Sequence, residues 1–262
     1  MKGTTSVLVV LVVALMGPRG HAATGGDGAL RMRIEGEGQP TVVFEAGLGD
    51  TLDVWRQVQP QVAPGCVRTV SYNRAGYPGS RRVEGVRDAA TVVEELRSNL
   101  LARGIAPPYL LAGHSLGGLY VQYFARNHPD EVVGLVLIDS THWDQLGRIR
   151  RDVPTMYGTL RVLSMLMFGT MRQEFAGSER AGEQVHASPV LRSIPVTVLS
   201  STRAAPGEPP ALRALMRSLQ NEIASEYRNV SHEFVAGSGH YIQRDRPKTV
   251  IAAIREMAGC PP

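Results

Sequence analysis

Apolar and polar positions along this chain follow two patterns, one typical of strands and one typical of helices, and together they predict a layered α/β fold. Short apolar runs such as 41–46 and 132–138 are typical of buried strands. Between such runs lie segments with helical periodicity. The clearest is 86–102, where Val92 and Leu96 share one apolar face. Strands that alternate with helices in this way indicate a doubly wound, mostly parallel sheet with helices on both faces.

The other predicted elements complete one domain. Residues 30–34 and 41–46 have the pattern of an opening hairpin, joined by a turn that contains Gly36, Gly38 and Pro40. Further strands are predicted at 68–72, 109–112, 194–199 and 231–235, and further helices at 52–59, 116–127, 210–227 and 247–257. A chain of 262 residues is long enough to bury one large core of this kind.

The alternation stops between Ser140 and about Pro189, and we predict a helical cap insertion over residues 141–189. About 50 residues between two strands is too long for a simple crossover. Methionine and aromatic residues recur in this segment: Trp143, Met156, Tyr157, Met165, Met167, Phe168, Met171 and Phe175. Two interpretations stay open for them, because adaptable apolar side chains suit both a pocket lid and a small core of the insertion itself.

The most informative segment is Gly113-His114-Ser115-Leu116-Gly117-Gly118, which lies between a predicted strand and a predicted helix. A serine at such a corner sits on a sharp, strained turn with its hydroxyl exposed above the sheet. Gly113 and Gly117 leave room where a side chain would collide with a neighbouring element. The N-terminus of the helix favours a developing negative charge. We therefore predict Ser115 as a nucleophile and the Leu116 N–H as an oxyanion donor.

A second oxyanion donor is predicted in the loop after Phe44, because an oxyanion hole needs two N–H groups aimed at one point. This loop reads Glu45-Ala46-Gly47-Leu48-Gly49-Asp50. Its two glycines allow an unusual backbone turn. The Leu48 N–H is the predicted donor.

A serine hydroxyl needs a base to take its proton, and His240 is the predicted base. It lies in the loop Gly237-Ser238-Gly239-His240 between the last strand and the last helix, at the same sheet edge as Ser115. A carboxylate must orient the imidazole. Asp139 ends the strand after the serine helix and is the predicted acid. Asp144 and Glu208 remain alternatives.

The N-terminus predicts export. Lys2 precedes an apolar run from Val7 to Met16, and small residues follow at 20–23. This layout is typical of a secretory signal peptide over residues 1–22, which leaves a mature domain over 23–262. The expected location is secreted or periplasmic. The apolar run is short for a membrane span, so no stable membrane anchor is expected after cleavage.

Charge and motifs narrow the range of partners. Lys2 and Arg19 are two of the 28 basic residues, so removing the leader leaves 26 basic against 24 acidic residues. That small excess gives no reason to expect nucleic acid as a partner. Neither metal-ligand spacing nor a phosphate-binding glycine loop is visible, so the expected chemistry is free of metal and cofactor. The two cysteines, Cys66 and Cys260, either form a disulfide or remain separate thiols.

These motifs together resemble the α/β-hydrolase superfamily over roughly residues 40–258. The resemblance is carried by Gly113 to Gly118, by Ser71-Tyr72-Asn73-Arg74-Ala75-Gly76-Tyr77, by Leu135-Val136-Leu137-Ile138-Asp139 and by Ser238-Gly239-His240. It implies an eight-stranded sheet, a cap over the site, and serine acyl-enzyme chemistry with His240 as base. The expected function is an esterase-like or lipase-like serine hydrolase whose small-molecule ester substrate carries an apolar group.

Three departures from the family pattern bear on this expectation. Ala46-Gly47 stands where His-Gly is common, which leaves the backbone donor intact. Asn73 replaces the usual aspartate before Arg74, and the acid usual after the seventh strand is missing, which is why Asp139 is needed. Similar haloalkane dehalogenases and epoxide hydrolases carry an aspartate nucleophile, so Ser115 argues against both. Amide or C–C bond hydrolysis, and a non-catalytic ligand-binding protein of this fold, are the alternatives.

Overall fold

A computed structural model describes residues 29–191 and 193–261 of the chain. The predicted signal peptide, residues 1–22, lies outside the described residues. Within the described ranges, no helix is both long enough and apolar enough to cross a membrane.

The described residues contain one sheet of seven strands, in the order β1-β3-β2-β4-β5-β6-β7. The first strand runs antiparallel to its neighbour and the other pairs are parallel. The strands β1 to β7 are Met32–Glu35, Thr41–Glu45, Thr69–Tyr72, Tyr109–His114, Val132–Ile138, Val196–Ser201 and Val230–Val235. This is the predicted doubly wound α/β sheet. Seven strands are found in the described residues where eight were expected.

The predicted opening hairpin is wrong in its pairing, although both of its strands form. Strand β3 lies between β1 and β2, so β1 pairs with β3 and not with β2. The link between β1 and β2 packs closely on the residues that lead into β3. A Cβ on Gly36 would lie 2.5 Å from the Val67 carbonyl oxygen, and one on Gly38 would lie 2.5 Å from that of Cys66. This close approach lets a five-residue link pass beside β3.

Nine α-helices are found in the described residues. In chain order, α1 to α9 are Gln59–Val62, Ala89–Ala102, Leu116–Asn127, Gln145–Asp152, Pro154–Met165, Gly169–Ala187, Pro210–Ser225, Ile242–Asp245 and Pro247–Met257. Several of them start as local rules of capping predict. The Asp88 side chain accepts a hydrogen bond from the Thr91 N–H at the start of α2. Helices α5, α7 and α9 begin with proline, which has no N–H to leave unpaired.

Two apolar cores lie on opposite faces of the sheet because successive strand residues point to opposite sides. Along β4, Leu111 packs with α2 and α3, whereas Leu110 packs with α1 and α9. Along β5, Leu135 and Val136 divide in the same way. Helices on both faces therefore leave the carboxyl ends of the parallel strands free to carry a site.

The predicted insertion is helical and contains α4, α5 and α6. A third apolar cluster joins it to α7 through Ile149, Val153, Leu215 and Leu219. Helix α6 also contacts α2 and α3, so the cap is held at both ends by helices of the sheet domain.

Cys66 and Cys260 form a disulfide, with their Cα atoms 5.6 Å apart. It joins the residues just before β3 to those just after α9. Of the two interpretations left open by the sequence, the structure has the disulfide.

We expect loss of this disulfide to lower the free energy of unfolding by about 2–5 kcal/mol, because a cross-link spanning 194 residues restricts the unfolded chain strongly. Urea unfolding of the Cys66→Ser, Cys260→Ser and double variants measures the effect. All three should lose the same amount, since each lacks the same single bond. A reductant should destabilise the wild-type protein and leave the double variant unchanged; equal sensitivity would contradict the expectation.

Candidate active site

The carboxyl edge of the sheet gathers the predicted site residues, because parallel strands all end on that side. Ser115 follows β4, Asp139 follows β5, and His240 follows β7. All three line one cavity of about 620 Å³. The loop after β2 reaches the same cavity with Leu48.

Ser115 sits on a strained turn, as its position between strand and helix predicts. Its φ of 53° and ψ of −123° lie outside the regions that L-residues ordinarily adopt. The surrounding backbone holds it there: the Ser115 N–H donates to the Ile138 carbonyl at 3.1 Å, and the Thr141 N–H donates to the Ser115 carbonyl at 3.0 Å. A Cβ on Gly117 would lie 2.5 Å from the carbonyl oxygens of Glu45 and Ala46. Only glycine fits this approach between α3 and β2.

His240 and Asp139 form a hydrogen-bonded pair, with 2.7 Å between His240 Nδ1 and Asp139 Oδ2. Ser201, at the end of β6, supports the carboxylate twice. Its N–H donates to Asp139 Oδ1 at 2.8 Å, and its hydroxyl donates to Oδ2 at 3.1 Å. Arg213 in turn donates to the Ser201 hydroxyl at 3.2 Å and to its carbonyl. Asp139 itself has a φ of 43°, so the strand end turns sharply to aim this side chain.

The pair shifts both pKa values toward the charged forms. Burial lowers the pKa of His240, but the hydrogen bond and charge of Asp139 outweigh it, and the pKa lies above the ordinary 6.5. Burial raises the pKa of Asp139, but hydrogen bonds from His240 and Ser201 outweigh it, and the pKa lies below the ordinary 3.8. Asp139 is thus ionised at neutral pH and stabilises a proton on His240.

The two alternative acids have other partners. Asp144 lies at the start of α4, where its Oδ2 is 2.6 Å from Arg151 Nη2. Glu208 accepts a hydrogen bond from the Ala205 N–H at 2.7 Å. Both line the cavity, but Asp139 is the carboxylate hydrogen-bonded to His240.

The loop that carries Leu48 is held by a buried arginine. Arg74 Nη1 donates to the Ala46 carbonyl at 2.6 Å, and Nη2 donates to the Gly47 carbonyl at 2.7 Å. The Gly49 N–H donates to the Tyr77 hydroxyl at 3.0 Å. These hydrogen bonds engage the Ala46 and Gly47 carbonyls and fix the backbone conformation of the loop next to Ser115.

Arg74 is itself held by two buried carboxylates. Its guanidinium lies 2.6 Å from Glu45 Oε1 and 2.6 Å from Glu174 Oε1, and all three side chains are at most 2% exposed. Tyr72 donates to Glu45, and Tyr77 donates to Glu174 at 2.7 Å. Burial lowers the pKa of Arg74, but the charges of Glu174 and Glu45 outweigh it and raise the pKa. Since Glu174 belongs to α6, this cluster joins the cap to the sheet beneath the loop.

His114 packs against the loop that carries His240. Its ring is fully buried and packs against the rings of His240 and Tyr241, with centroids 4.7 and 4.9 Å apart. Its Nε2 lies 3.0 Å from the His240 carbonyl oxygen, and since a carbonyl only accepts, Nε2 carries the proton. Burial keeps the pKa of His114 well below its usual range, so the ring stays neutral. His114 thus combines ring packing with a hydrogen bond to the backbone of His240.

The cap residues that the sequence left open divide between several environments. Trp143, Met156, Met171 and Phe175 line the cavity. Tyr157 packs on the cluster that joins the cap to α7, and Met167 is buried. Met165 and Phe168 are exposed. Both open interpretations therefore apply, and Met156 fits both because it lines the cavity and packs on that cluster.

Several residues of the site have no signal in the sequence. Ser201 and Arg213 belong to no motif, and Glu174 lies 100 residues from its partner Arg74. Asp50 and Thr51 both have the pattern of a helix cap, and Thr51 is the residue that caps the 3-10 helix Leu52–Trp55. The buried Asp50 carboxylate lines the cavity instead, and burial raises its pKa. Within residues 29–191 and 193–261, no group of three or more His, Cys, Asp or Glu residues could hold a metal ion.

A serine on a strand–turn–helix corner, with a histidine–aspartate pair at the same edge of a parallel sheet, defines a class of hydrolase folds. The profile of the alpha/beta hydrolase family matches residues 42–253. The chain belongs to this family.

Individual proteins are similar to this chain in sequence or in fold. The chain is 29% identical over 225 residues to the uncharacterized protein YqjL of Bacillus subtilis, covering 85% of each chain. It is similar in fold to a thermophilic esterase from Thermogutta terrifontis, with a TM-score of 0.58, 20% identity, and 87% and 92% of the two chains covered. It is also similar to Est816, an N-acyl homoserine lactone degrading enzyme, with a TM-score of 0.61, 16% identity, and 88% and 98% covered.

We expect Arg74→Met to lower the free energy of unfolding by about 3–5 kcal/mol, because it leaves Glu45 and Glu174 buried without their counter-charge. The matched control is Arg33→Met, which removes an exposed ion pair with Asp53 and should cost at most about 1 kcal/mol. Urea unfolding measures both. Equal losses in the two variants would contradict a special role for the buried cluster.

Proposed function

We propose that this protein is a serine hydrolase that cleaves a carboxylic ester through an acyl-enzyme intermediate. Ser115 attacks the ester carbonyl, His240 takes the serine proton and returns it to the leaving alcohol, and Asp139 orients and charge-stabilises His240. The N–H groups of Leu116 and Leu48 stabilise the tetrahedral oxyanion. A water molecule then attacks the acyl-enzyme while His240 takes its proton, and His240 returns that proton to the Ser115 oxygen as the carboxylic acid is released.

The observation that carries this proposal is the His240–Asp139 hydrogen bond of 2.7 Å beside the strained Ser115 turn, in one shared cavity. Ser201 donates two hydrogen bonds to the Asp139 carboxylate, which is ionised and lies against His240 Nδ1. This favours a role for His240 as a base rather than as a structural histidine. A hydrogen bond at Nδ1 leaves Nε2 as the nitrogen that can accept the serine proton.

The cavity wall supports an apolar group on the substrate. Leu48, Leu160, Leu163, Met171 and Phe175 line the same cavity as the proposed nucleophile. Met171 reaches the loop that carries Leu48, since a Cβ on Gly49 would lie 2.8 Å from the Met171 sulfur. An acyl or alkyl chain packed against these side chains would lie in the same cavity as Ser115.

We also propose that the protein is exported, to the periplasm or outside the cell. The signal-peptide pattern over residues 1–22 supports this, and so does the Cys66–Cys260 disulfide, since such bonds persist mainly in oxidising compartments.

We expect a fluorophosphonate probe to label wild-type protein at Ser115 and to leave Ser115→Ala unlabelled. The same variant should hydrolyse short p-nitrophenyl esters about 10⁶-fold more slowly, because the nucleophile is lost. Peptide mass mapping and initial rates measure the two effects. The control is Ser178→Ala, a cavity-wall serine whose hydroxyl donates to the Phe175 carbonyl, which should retain both labelling and activity. A folded wild-type protein that neither labels nor turns over would contradict the proposal and favour a ligand-binding role.

We expect kcat/KM to fall as the pH drops through a midpoint above 6.5, because His240 must be neutral to accept a proton and Asp139 raises its pKa. Asp139→Asn removes that charge, so the midpoint should move to lower pH and kcat should fall by about 10⁴-fold. The controls are Asp144→Asn and Glu208→Gln, the other candidate acids, which should shift the midpoint far less. A larger shift in either control than in Asp139→Asn would overturn the assignment of the acid.

A further inference from the structure

The end of the cap carries an exposed apolar patch that no part of the proposed reaction uses. Val162, Met165, Leu166 and Phe168 are 61%, 70%, 70% and 68% exposed, and they form what we call the cap tip. Val162 and Met165 share one face of α5 because residues three apart on a helix are neighbours, and Leu166 follows as the C-cap of that helix. Phe168 follows in the turn to α6. Apolar side chains clustered and exposed in this way mark an interaction surface.

The charged residues in the segment that carries the cap tip all have the same sign. From residue 153 to residue 173 the sequence contains no aspartate or glutamate. It contains two basic residues, Arg161 just before Val162 and Arg172 four residues after Phe168, and both are exposed. An apolar tip flanked by arginines is complementary to an anionic lipid surface, where apolar side chains enter the acyl boundary and arginines meet the headgroups.

The cap tip is continuous with the wall of the cavity. Another face of α5 lines the cavity with Met156, Leu160 and Leu163, so a single helix separates the tip from the cavity interior. Met171, at the start of α6, reaches from beside the tip to the Leu48 loop. A surface that holds the tip therefore lies next to the apolar wall of the site.

We propose that the cap tip docks reversibly on an anionic lipid bilayer. Val162, Met165, Leu166 and Phe168 insert at the level of the headgroups, and Arg161 and Arg172 bind anionic headgroups. A second copy of the chain fits this surface less well, because a two-fold contact between two tips would bring arginines together with no acidic residue of the same segment to pair with them. Binding to lipid does not depend on ester hydrolysis. Only the use of the docked position, to receive an apolar ester from the bilayer, rests on the proposed function.

The test measures co-sedimentation of the full mature chain with vesicles, in a Ser115→Ala background so that no turnover alters the lipid. Vesicles of phosphatidylcholine with about one third phosphatidylglycerol should bind the protein, and vesicles of phosphatidylcholine alone should bind it about tenfold or more weakly. Leu166→Ser/Phe168→Ser should weaken binding to the anionic vesicles by about tenfold or more, since two inserted side chains are lost. Raising the salt to about 0.5 M should also weaken binding, because it screens the arginines.

Matched controls separate docking from general surface effects. Val86→Ser/Leu101→Ser changes two exposed apolar residues away from the tip, 57% and 45% exposed, and should leave binding unchanged. Arg161→Gln/Arg172→Gln should weaken binding by about tenfold, whereas Arg82→Gln/Arg228→Gln, at exposed arginines elsewhere, removes the same charge and should not.

Three results would overturn the proposal. The first is that the folded protein fails to bind the vesicles, and the second is that the tip and control variants lose vesicle binding equally. The third result is a dimer in sedimentation equilibrium that the tip variants convert to monomer. The last result would assign the tip to a second copy. Because soluble p-nitrophenyl esters do not need a bilayer, the tip variants should retain wild-type rates on them when made with Ser115 intact. Loss of lipid binding and failure of the proposed esterase activity are thus separate outcomes.

Discussion

The arrangement of the site depends on the ion pairs and hydrogen bonds of the buried Arg74 guanidinium. It neutralises Glu45 from the end of β2 and Glu174 from the cap helix α6, and it binds two carbonyls of the Leu48 loop. A buried arginine is costly unless its charge and its N–H groups are all satisfied, and here carboxylates and carbonyls satisfy them together. The same cation therefore sets the loop conformation and ties the cap over the sheet.

Backbone strain is concentrated at the two residues that the proposed chemistry uses most. Ser115 and Asp139 are the non-glycine residues with positive φ among those the structure describes, and each directly follows a central parallel strand. Hydrogen bonds to the neighbouring strand hold both turns: the Ser115 N–H donates to the Ile138 carbonyl of β5, and the Asp139 N–H donates to the Leu199 carbonyl of β6. The rigid sheet thus stabilises two unfavourable conformations at once.

The position of Asp139, the proposed acid, lies one strand away from the usual one. Where an acid is usual at the end of the next strand, this chain has Ser201, which cannot charge-stabilise an imidazole. Its N–H and hydroxyl both donate to Asp139 instead, and Arg213 holds Ser201 in place. Because β5 and β6 are adjacent and parallel, a carboxylate moved by one strand still reaches His240 Nδ1.

The amino-acid sequence by itself determined the alternation of strands and helices, the serine turn at 113–118 and the histidine loop at 237–240, because each depends on neighbours within a few residues. Tertiary structure alone decided which of Asp139, Asp144 and Glu208 lies against His240, a contact across 101 residues. It also decided that Glu174 pairs with Arg74 and that β3 separates β1 from β2. The physical reason is that a side-chain hydrogen bond depends on distance in space to within a few tenths of an ångström. That distance is set by strand order and loop path, which no local pattern encodes.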